Sequence, residues 1–158
     1  MRPLGIPAVR GRVAQEVSRA WMAPIFDPTL HDSSHGFRRR RSCHTAMAQL
    51  VEVPPPGYRG GVEADLKGVF DSLPHPLLLA LVACEIAEGN ILRLSTKCLQ
   101  AGVRDEGAGR PTGKGTPQGG GSSPLLANIV LNQLDWRGEA RGYVVVRYAD
   151  DVRRSQAV

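Results

Sequence analysis

Cysteine is scarce in this chain. Cys43, Cys84 and Cys98 stand apart with no CxxC pair. An odd count without metal-ligand spacing excludes a disulfide framework and a zinc site, and it fits a reducing, cytoplasmic compartment. Long apolar runs are missing as well. The longest, around Leu77–Cys84, is far below the ~18 residues that a membrane span needs. The opening MRPLGIPAVRG has no apolar core of a secretory signal. Lysine is also rare: only three of the 20 basic residues are Lys, so the positive charge is carried by planar guanidinium groups that favour bidentate contact with phosphate.

What is present is enough for one core. The chain has 158 residues, 42% hydrophobic and 22% charged, with 18 Gly and 12 Pro. Those values argue against disorder and for a folded mixture of helices and strands with many turns. Charge is unevenly spread. Residues 1–41 hold eight Arg against three acids, whereas residues 42–151 hold ten basic and twelve acidic side chains. A basic end joined to a mildly acidic body fits a polyanion held beside a separate acidic site, and it fits a solvated basic surface equally well.

Periodicity predicts the elements. Val13, Val17, Ala20 and Trp21 form one apolar stripe of a helix over roughly 10–23 that ends before Pro24. Ser42 is placed to cap a helix carrying Ala46, Met47 and Leu50, closed by Pro54–Gly57. Tyr58–Leu66 alternates, with Val62, Ala64 and Leu66 on one side and Glu63 and Asp65 on the other, which predicts a half-buried strand. Asp71 or Ser72 before Pro74 marks a helix with Leu77, Leu78, Leu81, Val82 and Ile86 on its apolar face, and another helix covers about 90–100. The Gly-dense stretch 102–121 reads as a hairpin or extended loop. Ser122 or Ser123 with Pro124 opens a helix through Leu134, and Tyr143–Tyr148 is a strand ending in Ala149-Asp150-Asp151.

Asp65 and the Asp150-Asp151 pair lie at strand ends among apolar neighbours, where carboxylates cost stability unless compensated. Clustered carboxylates suit magnesium, which takes hard oxygen ligands and shares them with phosphates. Acids at strand ends are also common in any globular chain. His31, His35, His44 and His75 have no metal spacing and read as structural or surface residues.

The order RPLGIP (Arg2–Pro7), HDSSHGFRRRRS (31–42), EADLKGVFD (63–71), GTPQGGGSSPLLANIVLNQLD (115–135) and VRYADD (146–151) resembles reverse transcriptases encoded by bacterial group II introns, over nearly the whole chain. The resemblance implies an α+β fold: right-hand polymerase fingers and partial palm, an antiparallel sheet packed on helices, with the thumb absent. Residues 1–57 are then fingers-like and 58–158 palm-like. It implies an RNA-directed DNA polymerase that adds deoxynucleotides to a DNA primer on an RNA template, the intron RNA, through two Mg2+ ions. Asp65, Asp150 and Asp151 become the catalytic metal ligands, with the Leu66 carbonyl beside them. Lys67, Gly68, Val69 and Phe70 line the nucleotide, Phe70 under the incoming sugar. Pro117, Gln118 and Gly119 complete the pocket, Arg2 and Arg12 grip the triphosphate, and Arg38, Arg39, Arg40 and Arg41 bind RNA. Asp71 is expected to cap a helix.

Three departures stand out. Arg39 and Arg40 replace the Pro and Gly of the usual GFRPGRS, which strengthens phosphate attraction and removes a turn-forming pair. Gly121 and Ser122 replace apolar residues of the usual QGGVISP. After YADD, Arg153 and Arg154 stand where an apolar return strand is usual, so the acidic hairpin is expected to lack a good second arm and the sheet to keep an open edge. The chain is accordingly expected to be truncated just after YADD. The alternatives are an inactive remnant that only binds RNA through its arginine-rich N-terminal part, and the unstable product of a degenerate reading frame. No membrane partner is expected.

Overall fold

The computed structural model describes residues 8–52, 58–100, 103–105, 108–110, 113–116 and 120–157. The chain folds as two compact units, each built from two stretches of sequence: 8–28 with 68–130, and 29–67 with 131–157.

The first unit is mainly helical. Helix α1 (Val9–Phe26) runs past Pro24 to Phe26, three residues beyond the expected end. Proline removes one N–H only, while Met22 and Phe26 are buried on either side of it and the Asp27 amide closes the helix on the Ala23 carbonyl. The apolar stripe of the sequence is not the face that is buried. Val13, Val17 and Trp21 are exposed, and the buried face is Gln15, Ser18, Met22 and Phe26. The Ser18 hydroxyl lies 3.3 Å from that of Ser95, and two small side chains at this crossing let α1 pack closely on α5 (Gly89–Gln100).

Helix α2 (Cys43–Glu52) belongs to the second unit and starts as expected. Ser42 Oγ accepts the Thr45 amide at 3.4 Å while Thr45 Oγ1 accepts the Ser42 amide at 2.9 Å, a reciprocal cap. Between α1 and α5 in the first unit come a single turn, α3 (Val69–Ser72), and α4 (His75–Glu85). Asp71 lies inside α3 and does not cap α4, whose N-cap is Pro74. Leu78, Val82 and Ile86 are buried as predicted, whereas Leu77 is exposed. The segment 113–116 is laced to this junction: Gly115 N–H donates to Leu73 O, Thr116 N–H to Phe70 O, and His75 Nε2 to Gly115 O at 2.7 Å. Two short paired strands, β2 (Val103–Asp105) and β3 (Ala108–Arg110), lie within the Gly-rich stretch. Helix α6 (Ser123–Glu139) is shared, its residues from Leu131 onward belonging to the second unit, and it extends five residues beyond the expected Leu134.

The second unit is built on an antiparallel sheet. Strands β1 (Tyr58–Asp65), β4 (Val144–Tyr148) and β5 (Asp151–Ala157) lie in the order β1-β5-β4. This corrects the expectation at the chain's end: residues 151–157 are a true return arm and the central strand of the sheet. Two neighbours satisfy the backbone on both sides, and that outweighs the arginines. Arg153 is exposed and pairs with Glu63 at 3.6 Å, while Val152 supplies the buried face. Strand β1 is the edge, and Val62 and Ala64 are exposed, so it is not half-buried as its alternation suggested. On the other side Ser33–His35 runs along β4: the Arg147 amide donates to Ser33 O and the His35 amide to Arg147 O, both at 2.8 Å. Among the described residues no helix is long and apolar enough to cross a membrane.

Candidate active site

The second unit brings three carboxylate-bearing residues to one end of its sheet. Tyr148 and Asp151 are register partners, which leaves Ala149-Asp150 as a two-residue turn between β4 and β5. Asp151 is in turn directly opposite Asp65 on β1, and opposed residues of an antiparallel pair project to the same face with Cα atoms about 4.5–5.5 Å apart. The Leu66 amide donates to the Asp150 carbonyl at 3.1 Å and ties the turn to β1. Asp65 and Asp151 are exposed and Asp150 is half-buried.

The donor chemistry of this end fits a hard divalent cation: the side chains offer oxygen only. No ion pair or hydrogen bond to these three carboxylates is formed among the described residues. Their side chains do not yet converge, since among the described residues no three His, Cys, Asp or Glu side chains are arranged to hold one ion.

Behind the turn lies a polar core that periodicity did not single out. Arg147 and Asp135 are both fully buried. Arg147 Nε reaches both Asp135 oxygens at 3.0 Å, Nη2 donates to Asp135 Oδ2 and to Ser34 Oγ at 2.7 Å, and Nη1 donates to the Ala149 carbonyl at 3.0 Å. A signal was present in the sequence: Arg147 shares its strand face with Val145, and a charge on a buried face demands a partner. Gly36 completes the support. A Cβ there would lie 2.9 Å from Ala149 Cα, so only glycine lets the 33–36 segment approach the turn so closely.

The remaining predicted residues separate. Leu66 and Lys67 follow β1 directly. Gly68 (φ 66°), buried Val69 and half-buried Phe70 belong to the first unit, as does exposed Arg12. Arg2, Pro117, Gln118 and Gly119 lie outside the described residues. The four arginines differ in their contacts. Arg38 Nη1 donates to the His31 and Ser34 carbonyls at 2.8 and 3.1 Å, and Arg41 pairs with Asp32 at 2.8 Å, so both hold their own loop. Arg39 and Arg40 are exposed, and Arg40 keeps the left-handed backbone (φ 60°) of the turn. Among the histidines, His31, His35 and His75 are buried and hydrogen-bonded, and His44 is exposed. Burial pushes the His35 imidazole pKa down, with Gln49 as an opposing hydrogen-bond partner.

Residues 1–153 match the family model described as reverse transcriptase (RNA-dependent DNA polymerase). The chain belongs to the reverse transcriptase family. Within that family it is 44% identical over 135 residues to the group II intron-encoded protein LtrA of Lactococcus lactis subsp. cremoris, a match that covers 85% of this chain and 22% of the relative. It is 40% identical over 139 residues to protein YkfC of Escherichia coli (strain K12), covering 85% and 36%. The reverse transcriptase fold is also seen in a partial Cas6-RT-Cas1–Cas2 complex, at a TM-score of 0.59 and 24% identity over 97% of this chain and 27% of that one. The chain thus spans between about a fifth and a third of the length of these relatives.

Proposed function

We propose that this chain carries the catalytic carboxylates of an RNA-directed DNA polymerase of group II intron type, which extends a DNA primer with deoxynucleotides on an RNA template. The observation that carries the reading is the register of β1 against β5, which opposes Asp65 to Asp151 beside Asp150. In this reading Asp65, Asp150 and Asp151 hold the metal, with the Leu66 carbonyl beside them. When bound, two Mg2+ ions supply activation of the primer 3′-hydroxyl and neutralisation of the departing pyrophosphate.

The protein's own work is placement. The turn presents two carboxylates on a short, buttressed hairpin, and β1 presents the third from the strand paired directly with β5. Positioning of this kind supplies most of the catalysis in phosphoryl transfer. Phe70 limits the space under the incoming sugar, Lys67, Gly68, Val69, Pro117, Gln118 and Gly119 line the nucleotide, and Arg2 and Arg12 meet its phosphates. Exposed Arg39 and Arg40 contact template phosphates, in a fingers-like 1–57 and a palm-like 58–158. Magnesium-dependent primer extension on an RNA template tests the reading. Asp150→Ala is expected to reduce extension to background, and equal extension by the two proteins would remove the claim.

A further inference from the structure

We propose that Arg147 is the positioning residue of the acidic turn: from a fully buried site it fixes the Ala149 carbonyl, and through it sets Asp150 and Asp151 against Asp65. This rests on reading those three carboxylates as the metal-binding site. The reason lies in what a buried arginine is poorly suited to do. As packing it is inferior to an apolar side chain of similar volume, because its desolvation offsets most of what the Asp135 pair returns. An apolar residue cannot donate hydrogen bonds. Arg147 donates from one rigid fork to Asp135 on α6, to Ser34 beside the sheet, and to the Ala149 carbonyl two residues ahead.

The anchoring is also made through the backbone. The Arg147 amide and carbonyl are both bonded to the Ser33–His35 segment, so the residue is held from its main chain and from its guanidinium group at once. The carbonyl that it grips belongs to Ala149, a non-glycine residue at φ 59°. Such a conformation persists only where the surroundings over-determine it. On the far side of the turn the Asp150 carbonyl accepts the Leu66 amide. The turn is therefore fixed at one carbonyl by Arg147 and at the next by the strand that carries Asp65.

Arg147→Lys keeps the charge beside Asp135 but cannot serve three acceptors in one plane. Two readouts on the whole chain are compared with wild type: amide hydrogen exchange at Leu66, with α5 amides as the internal control, and affinity for Mn2+ alone, read from the free-ion paramagnetic resonance signal. Exchange at Leu66 is expected to accelerate about tenfold while α5 is unchanged, and the Mn2+ dissociation constant to rise roughly 10–100-fold, the usual loss when a supporting partner is removed. A folded Arg147→Lys protein with wild-type exchange at Leu66 overturns the positioning role. So does faster exchange with unaltered Mn2+ affinity that Asp65→Asn still abolishes. If Mn2+ binding is instead insensitive to Asp65→Asn, the metal reading fails, and the anchoring of the turn is decided by Leu66 exchange alone. Should Arg147→Lys lose its cooperative melt, Ser34→Ala removes one acceptor, leaves the ion pair intact, and is judged by the same outcomes.

Discussion

Arg40 shows how a single residue keeps a turn at a cost. It occupies φ 60°, a region that a side chain with a Cβ enters at roughly 1–2 kcal/mol. Arg40→Gly removes that strain but returns some unfolded-state entropy, so a net gain of about 0.5–1 kcal/mol is expected in urea unfolding. The loss of the usual Pro-Gly pair has therefore not removed the turn, because Arg38 and Arg41 tie the loop to its own carbonyls and to Asp32. His35 gives a pH-dependent counterpart. Its ring nitrogens lie 2.8 Å from Thr45 Oγ1 and 2.6 Å from Gln49 Oε1, and burial lowers its pKa. With the folded pKa below the unfolded one, its contribution is present above about pH 6.5 and is lost as the pH falls through the folded pKa. The melting temperature of wild type should fall from neutral to mildly acidic pH, with a shallower slope in His35→Gln. An unchanged slope would remove His35 as the cause.

At the scale of elements, the three strands set two like charges opposite each other. Cross-strand carboxylates at Asp65 and Asp151 repel, and directly opposed like charges cost on the order of 0.2–1 kcal/mol. Asp65→Asn is therefore expected to raise the melting temperature slightly in metal-free buffer and to lose the additional rise expected of wild type in Mg2+ under the proposed metal reading. A variant that melts lower without metal would show that Asp65 is held by the fold instead of straining it. The same sheet explains why Arg153 is tolerated in β5. Strand Asp151–Ala157 alternates, so Val152 faces the core while Arg153 faces solvent and Glu63. Helix α1 makes the opposite point. Its valine stripe is legible in the sequence, yet the face that is buried is the one whose Ser18 and Met22 meet Ser95.

For the molecule as a whole, net charge and its placement bear on the RNA partner proposed here. The first 41 residues carry the excess of arginine, but Arg38 and Arg41 are engaged within their loop and Arg39 and Arg40 are exposed. In RNA titrations at several salt concentrations, Arg39→Ala should reduce the slope of log affinity against log salt by roughly 0.7, the value for one single-strand phosphate contact. No change in slope would take Arg39 out of the interface. Much of the architecture was legible from local signals: the Ser42 cap, the Leu78/Val82/Ile86 face, the strand before Asp150, and the acids at strand ends. These depend on the few residues around each position, and local sterics and periodicity act over that range. What only the tertiary structure decided is which helix face is covered, that residues 151–157 become the central strand, and that Arg147 finds Asp135, Ser34 and the Ala149 carbonyl. Gly36 meeting Ala149 belongs with them. Each joins segments far apart in the chain, and no local pattern specifies which distant backbone will satisfy a strand or neutralise a buried charge.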